Sequence, residues 1–204
     1  MISVPVLSLY AAGCYLLGAF PTGYLVFRAR EKKDIRAFGS GATGATNVFR
    51  HGGVWAALPV ALADILKGFA PVFLAARLST PSVFPALCAS AAVLGHCYPA
   101  YIGFRGGKGV ATGGGAMFAL APLPAFVSLI ILVLVAGITR YISLGSVLAA
   151  SAFPFVLLLF GFPTGFVLAT LPLIVIILVR HAGNLSRLVR GTERKFGDRK
   201  DIQP

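Results

Sequence analysis

The segment from Phe38 to Arg50 has the composition of a phosphate-binding loop. Its glycines allow tight turns and bring backbone N–H groups close to a bound anion. Ser40, Thr46 and Asn47 add side-chain donors, and Arg50 can form a bidentate, charge-assisted pair with phosphate oxygens. A flexible turn before a helix is the structural alternative, but such turns rarely carry so many donors. The segment therefore predicts a site for phosphate.

A second glycine-rich segment, from Gly95 to Thr112, holds Lys108 between glycines just before a predicted helix. A helix N-terminus already attracts anions, and a lysine there adds a full charge. The segment is not a Walker A loop, because Ile102 stands where that motif needs glycine and Gly109 where it needs Ser or Thr. A basic turn flanking a membrane is the alternative. His96 can accept a proton, although a lone histidine at such a position is more often a structural hydrogen-bonding group.

The third polar segment runs from Arg180 to Lys195. His181, Asn184 and Arg187 fall on one helical face, since they are spaced by three residues. Considered alone, the segment is more typical of a basic tail that contacts anionic lipid. It contributes to a phosphate site only if it lies beside the other two segments.

Asp64 and Lys67 lie three residues apart within an apolar stretch. This spacing allows a helical ion pair, which lowers the cost of burying both charges. The sequence leaves open whether the pair is functional or structural.

No metal or cofactor site is predicted. The three histidines are far apart in sequence, and the cysteines, Cys14, Cys88 and Cys97, all lie in apolar stretches without a ligand spacing. An odd number of unpatterned cysteines also predicts no disulfide framework.

Long apolar runs must position these polar segments. The chain of 204 residues is 57% hydrophobic and only 12% charged, and the runs Leu123–Ile138 and Val147–Val179 are almost free of charge. A hydrocarbon core of roughly 30 Å needs about 20 apolar residues per helix. We therefore predict an all-α polytopic membrane protein forming a single domain, residues 1–204. The apolar N-terminus is expected to be a first span rather than a signal peptide.

The net charge of +12 is concentrated between the apolar runs. A nucleic-acid-binding protein would spread its cations over a solvent-exposed face, so that class is excluded. Basic loops favour the cytoplasmic side. This rule places four clusters together, at Arg28–Arg50, at Arg105–Lys108, at Arg140, and from Arg180 onward.

An even number of crossings must then separate neighbouring clusters. The interval from Lys108 to Arg140 holds about 31 residues, or about 47 Å of helix, whereas two full spans need about 60 Å. At least one helix of that pair should therefore be short. The predicted topology has seven transmembrane helices, the N-terminus outside, the C-terminus cytoplasmic and short cytoplasmic motif loops. It has a first span at about residues 4–27 and later outer turns at 79–82, 121–124 and 161–163.

The three segments, in this order, closely resemble the motifs of the bacterial PlsY family, the acyl-phosphate:glycerol-3-phosphate acyltransferases. The resemblance covers nearly the whole chain and includes Asp64 and Lys67. Ala42 departs from it, since the family usually has asparagine there, and this puts the hydrogen bonding of the first loop in doubt. The matching motif residues are Gly39–Gly41 with Gly44–Asn47 and Arg50, then Gly95–His96 with Phe104–Thr112, then Arg180–His181 with Asn184, Arg187–Leu188 and Gly191–Glu193.

The resemblance implies an inner-membrane enzyme with its active site facing the cytoplasm and no cofactor. It implies transfer of a fatty acyl group from acyl phosphate to glycerol 3-phosphate, giving lysophosphatidate and phosphate. The acyl phosphate would come from a soluble or peripheral phosphate acyltransferase, and membrane lipid would be the other partner. The implied catalytic residues are Ser40, Arg50, Lys108, His181 and Asn184. The implied substrate-binding residues are Gly41, Thr46, Asn47, His96, Gly106, Gly107, Ser146, Arg187 and Glu193.

The main alternative is a membrane transporter of phosphorylated metabolites. It predicts polar residues at mid-membrane depth, but the run from Val147 to Val179 holds only a few small hydroxyls. A non-enzymatic scaffold would not need three donor-rich loops. An acyltransferase with a thioester donor usually has a His-x-x-x-x-Asp box, and here His96 has Tyr101 five positions on.

Overall fold

The computed structural model describes residues 3–78 and 83–197, and within these two ranges the regular structure is entirely helical. There are two single 3₁₀ turns, Ile35–Ala37 directly before the first glycine-rich segment and Ala100–Ile102 within the second. The α-helices are α1 (Val4–Ala19), α2 (Thr22–Glu31), α3 (Ala45–Gly52), α4 (Val54–Arg77), α5 (Phe84–Cys97), α6 (Val110–Leu120), α7 (Pro122–Thr139), α8 (Ile142–Leu159), α9 (Thr164–Arg180) and α10 (Ala182–Val189).

Four segments are long and apolar enough to cross a membrane. They are α1 with α2 taken together, α4, α7 and α8, and the bent pair of α9 and α10 would make a fifth. Large apolar side chains such as Leu62, Val133 and Phe155 are exposed on the outside of the bundle. An exposed apolar surface of this extent is what a lipid environment requires.

Helices end at two of the positions where an outer turn is predicted, and the side of the membrane on which these turns lie stays a prediction. The chain turns between Leu159 and Thr164, and it breaks at Ala121 between α6 and α7. The expected short helix is α6, whose 11 residues extend about 16 Å. The turn predicted at 79–82 lies outside the described residues.

The first predicted span, about residues 4–27, is not one continuous helix. It breaks between Ala19 and Thr22, at Phe20 and Pro21. Proline has no N–H to donate to the preceding turn and thus interrupts the helical hydrogen bonds. The carbonyl of Phe20 accepts a hydrogen bond of 2.9 Å from Lys67 Nζ instead. Lys67, which is buried on α4, therefore caps this break.

Glycines bring α4 and α6 into backbone contact. A Cβ atom at Gly68 would overlap the carbonyl oxygen of Thr112, and one at Gly115 would overlap that of Ile65. Helices in membranes associate through small residues of this kind, because close backbone approach increases van der Waals contact. The contact fixes α6, and with it the end of the second glycine-rich segment, against α4.

The buried apolar residues form two clusters. The larger one lies between α1, α4–α9 and includes Phe153, Leu157 and Leu173. The smaller one packs α2 and α3 onto the first part of α4, around Phe27 and Val48. This smaller cluster supports the first glycine-rich loop.

Candidate active site

A cavity of about 180 Å³ is lined by side chains from the two glycine-rich segments and from the third polar segment. The predicted site residues in its wall are Ser40, Thr46, Asn47, Arg50, His96, Lys108, Ser146, His181, Asn184 and Glu193. These residues are spread over more than 150 positions of the sequence. The fold brings them together in one cavity.

Asn47 organises the first loop from within. Its amide nitrogen donates to the carbonyl oxygens of Phe38 and Ala42 at 3.0 and 2.9 Å, and its Oδ1 accepts from the backbone N–H of Ser40 at 3.3 Å. The side chain is 3% exposed. Because its polar atoms are used by the loop, Asn47 positions Ser40 at the cavity. Arg50 lies in the last turn of the following helix, α3.

The second loop presents Lys108 from a fixed backbone. The N–H groups of Gly106 and Gly107 donate to the carbonyls of Cys97 and His96, at the end of α5. The Arg180 guanidinium donates to the carbonyls of Gly107 and Gly106 at 3.0 and 3.2 Å. The loop is thus held from both sides.

The start of α6 completes the second loop. Gly109 has a φ of +81°, a left-handed conformation that favours glycine, and it directly precedes the helix. Gly109, Val110 and Ala111 line the cavity together with Lys108. The first N–H groups of a helix have no partner within it, so they are available to an anion.

Lys108 has an unusual electrostatic environment. Burial disfavours its charged form and lowers its pKa to about 8. Among its charged neighbours, Glu193 favours the charged form, whereas Arg187, Arg50 and Arg180 act in the direction of the burial. The surrounding arginines repel the charged form of Lys108, and an anionic ligand would relieve that repulsion.

The third segment contributes three polar side chains. His181 Nδ1 donates to the carbonyl of Ile177 at 2.8 Å, which leaves Nε2 for a ligand. Asn184 Nδ2 donates to Glu193 Oε1 at 2.6 Å. Glu193 also accepts from Ser143 Oγ at 2.8 Å and from Arg187 Nε at 2.7 Å. These contacts show that Glu193 orients Asn184 rather than offering its own charge to a phosphate.

The carboxylate of Glu193 is kept ionised by its partners. Burial opposes its ionisation, but hydrogen bonds from Asn184, Ser143 and Arg187 outweigh that effect and hold its pKa below the usual value. Its side chain is 6% exposed, although most of the surrounding segment is exposed.

Asp64 and His96 close the inner wall of the cavity. Asp64 Oδ1 lies 2.8 Å from Lys67 Nζ and 3.6 Å from His96 Nδ1, and it accepts a hydrogen bond from Thr22 Oγ1 at 2.5 Å. The pair of Asp64 and Lys67, suggested by their spacing, is therefore present. It joins α4 to the start of α2 and to the break before it.

Four predicted substrate-binding residues do not line the cavity in the described part of the chain. Gly41 turns the first loop with a φ of +68°. Gly106 and Gly107 pack against His96 so closely that a Cβ atom would overlap it. Arg187 is directed at Glu193 instead. All four hold the loops that carry the lining residues, and direct contact with substrate stays a prediction.

Sequence reasoning missed two polar residues of the cavity wall, Ser143 and Arg194, and it left the role of a third, Asp64, open. Ser143 precedes Ser146 by one helical turn, and this spacing was the available signal. Arg194 directly follows Glu193, but nothing distinguishes it in sequence from the other cations of its segment. Among the described residues, no group of three or more His, Cys, Asp or Glu side chains could hold a metal ion.

An apolar groove of about 240 Å³ adjoins the polar cavity. The two share Val110, Ala111 and Ser146 in their walls. From there the groove runs between α6, α7 and α8, past Gly114 and Leu129. The wall is almost entirely aliphatic or aromatic.

Comparison with known proteins identifies close relatives. The sequence model of a family described as "Glycerol-3-phosphate acyltransferase" matches residues 8–191. Proteins of that name from Endomicrobium trichonymphae and Rubrobacter xylanophilus are 41% and 46% identical to the chain. The alignments cover 92% and 91% of this chain and 94% and 92% of those proteins, respectively.

Two solved structures share the fold. Both are of PlsY, described as an integral membrane glycerol 3-phosphate acyltransferase, one in a glycerol 3-phosphate form and one in a lysophosphatidic acid form. Each is 34% identical to this chain and covers 94% of it, and 96% of the solved chain is matched. The TM-scores are 0.89 and 0.85, respectively.

Proposed function

The chain belongs to the glycerol-3-phosphate acyltransferase family, and we propose that it takes its acyl group directly from an acyl phosphate. It is a multi-pass membrane enzyme of phospholipid synthesis that acylates glycerol 3-phosphate. Its membership of this family favours the enzyme over the transporter that the sequence left open.

The junction of the polar cavity with the apolar groove carries this proposal. An acyl phosphate has a charged head and a long apolar tail, and Val110, Ala111 and Ser146 belong to the walls of both spaces. A head in the cavity and a tail in the groove would bring the carbonyl carbon near these three residues. Burial of the tail contributes about 0.8 kcal/mol per CH₂.

The cations would hold the phosphate groups. Arg50 can bind phosphate oxygens through two parallel hydrogen bonds. A second positive centre is formed by Lys108 together with the first N–H groups of α6. Ser40 adds a hydroxyl donor at the mouth of the first loop. These groups would also stabilise charge that develops on the carbonyl oxygen and the leaving phosphate.

His181 and Asn184 would hold the glycerol end of the acceptor. Nε2 of His181 and the amide oxygen of Asn184 are left for a ligand, since Nδ1 of His181 and Nδ2 of Asn184 donate elsewhere. Both atoms can accept a hydrogen bond from a hydroxyl. Glu193 supports this arrangement by fixing the orientation of the Asn184 amide.

The reaction itself requires little covalent assistance. The glycerol hydroxyl oxygen attacks the acyl carbonyl carbon, the bond from that carbon to the phosphate oxygen breaks, and the hydroxyl proton leaves on the phosphate. The products are lysophosphatidate and hydrogen phosphate. Because acyl phosphate is an activated mixed anhydride, positioning of the two substrates can supply several kcal/mol of the rate enhancement.

The proposal includes the orientation in the membrane. Seven spans would cross the bacterial inner membrane, the N-terminus would lie outside, and the three motif loops would face the cytoplasm. The basic clusters flanking these loops support this orientation. Residues 1–204 would form one acyltransferase domain, and a soluble or peripheral phosphate acyltransferase would deliver the acyl phosphate to it within the lipid phase.

An acyl-donor assay tests the proposal. Purified enzyme is given labelled glycerol 3-phosphate with palmitoyl phosphate and, separately, with palmitoyl-CoA. We expect labelled lysophosphatidate from palmitoyl phosphate alone. Product from palmitoyl-CoA alone would assign the enzyme to the thioester-dependent acyltransferases and refute the proposed donor.

A further inference from the structure

The end of the described chain folds back over the active site. After α10, residues 192–197 form a segment without helix or strand, which we call the C-terminal strap. Its first anchor is Glu193, whose carboxylate is held by α8 and α10 through Ser143, Asn184 and Arg187. The strap is therefore attached directly to groups of the cavity wall.

Phe196 provides a second anchor at the far end of the strap. Its N–H donates to the carbonyl of Arg140 at 2.7 Å, and the Arg140 guanidinium donates to its carbonyl at 3.2 and 3.0 Å. Its ring stacks on Phe49, with centroids 5.3 Å apart and planes at 27°. Phe49 belongs to α3 and directly precedes Arg50, so the strap connects the corner of α7 and α8 with the helix that carries this cation.

Arg194 lies between the two anchors and lines the cavity. Its Nη1 would lie 3.4 Å from a Cβ atom built on Gly39, so the guanidinium reaches the first glycine-rich loop. The next residue, Lys195, is directed elsewhere, with Nζ 5.7 Å from the centroid of the Tyr141 ring. Neighbouring cations of the strap thus have different surroundings, and one of them belongs to the site.

We propose that Arg194 binds the phosphate of glycerol 3-phosphate and that the Phe196 anchor holds it in place. This inference rests on the proposed function, because it assigns a residue to one substrate of that reaction. The strap is largely exposed and carries polar side chains, which suits the soluble substrate that arrives from water. The acyl phosphate instead reaches the site through the apolar groove. A guanidinium also gives bidentate recognition of a phosphate.

A matched pair of variants tests the role of Arg194. Arg194→Ala and Lys195→Ala remove the same charge from adjacent positions of the strap. We expect Arg194→Ala to raise the KM for glycerol 3-phosphate by roughly tenfold or more, with the KM for palmitoyl phosphate unchanged. Calorimetric titration with glycerol 3-phosphate alone should show the same loss of affinity. Lys195→Ala should behave as the wild type in both measurements.

A double-mutant cycle tests the anchor. Phe196→Ala should raise the same KM, and adding it to Arg194→Ala should change that KM by no more than about twofold, because both variants remove one interaction. Arg194→Lys should restore part of the affinity. Independent, additive effects of the two substitutions would overturn the positioning role of Phe196.

Two other outcomes separate the inference from its premise. Equal KM values in Arg194→Ala and Lys195→Ala, or a change confined to palmitoyl phosphate, would overturn the assignment of Arg194 while the enzyme remained an acyltransferase. Failure of the wild type to make lysophosphatidate from acyl phosphate would instead refute the proposed function.

Discussion

Arg50 and Lys108 are expected to have the largest effects of single residues on turnover, since the proposed function assigns their full charges to the phosphate groups. We predict that Arg50→Ala and Lys108→Ala each lower kcat/KM by roughly a hundredfold or more, because a charged partner of the transition state is lost. The measurement is the initial rate of lysophosphatidate formation by protein that still elutes as a single species in detergent.

Arg30→Ala is a suitable control for these variants. Arg30 lies exposed on α2 and is not among the residues lining the cavity. Its loss removes the same charge and should leave turnover within about twofold of the wild type. Near-normal turnover in Arg50→Ala or Lys108→Ala would show that the phosphates bind elsewhere.

The lowered pKa of Lys108 also predicts that activity depends on pH. Its pKa is lowered to about 8, so the free enzyme loses the ammonium charge as the pH rises through that value. We expect kcat/KM to fall about tenfold for each pH unit above about 8. The corresponding fall in kcat should come at higher pH, because bound phosphate favours the charged amine. The measurement is the pH profile of both constants, corrected for hydrolysis of acyl phosphate without enzyme.

Lys108→Arg identifies the group responsible for this profile. A guanidinium stays charged throughout the accessible range, so the alkaline fall should disappear even if the rate is lower at every pH. Retention of the fall in this variant would assign it to another group.

The residues of the site could be predicted from sequence to the extent that their chemistry is visible there. Ser40, Arg50 and Lys108 are donors or cations among glycines, and all three line the cavity. The position of Arg194 was not predictable, because it depends on a strap that folds back across α3. Asn47 was predicted as a substrate ligand, but its amide hydrogen-bonds to loop carbonyls. Hydrogen-bonding capacity alone cannot distinguish a ligand contact from a backbone contact.

At the scale of elements, we expect the buried Asp64–Lys67 pair to contribute strongly to the stability of the fold. The two side chains are 1% and 7% exposed, and Lys67 also caps the break after α1. Lys67→Met leaves a buried carboxylate without its cation, which typically costs about 3–5 kcal/mol. We expect a clear fall in the temperature at which the detergent-solubilised enzyme loses its monodisperse elution peak.

The double variant Asp64→Asn with Lys67→Met separates charge from packing. With both charges removed, no isolated ion remains, and the thermal midpoint should recover towards the wild-type value. A midpoint no higher than that of Lys67→Met would show that the helix break depends on the lysine itself. Activity of the double variant then reports whether Asp64, which lines the cavity, also serves the reaction.

The boundaries of helices were predictable where a proline marks a turn in the sequence. The prolines Pro122 and Pro163 mark the turns that precede α7 and α9, and both turns are confirmed. Pro21 lies in an equally apolar run, where length alone favoured one continuous helix. The backbone contact of α4 with α6 was not predictable, because a glycine such as Gly68 shows that a neighbour can approach closely but does not identify that neighbour.

At the scale of the whole molecule, the bundle joins the polar cavity to the apolar groove. The cations and loops lie at one end, and the groove leads from them between α6, α7 and α8. With the glycerol 3-phosphate in the cavity and the acyl tail in the groove, as proposed above, one enzyme would accept a substrate from each phase. This division also predicts that the groove, rather than the cavity, determines the preference for acyl-chain length.

Gly114 offers a direct test of that division. It lines the groove, and a Cβ atom added there would meet no atom within 4 Å, so a larger side chain enters the groove without displacing backbone. We predict that Gly114→Leu lowers kcat/KM for palmitoyl phosphate by roughly tenfold to a hundredfold, because each excluded CH₂ forfeits about 0.8 kcal/mol. Activity with a short-chain acyl phosphate and the KM for glycerol 3-phosphate should change little. Gly137→Leu is the matched control, since Gly137 also has open space around it but lies exposed on α7, outside the groove wall. If Gly114→Leu reduced activity equally for short and long chains, the groove would not be the site of the acyl tail.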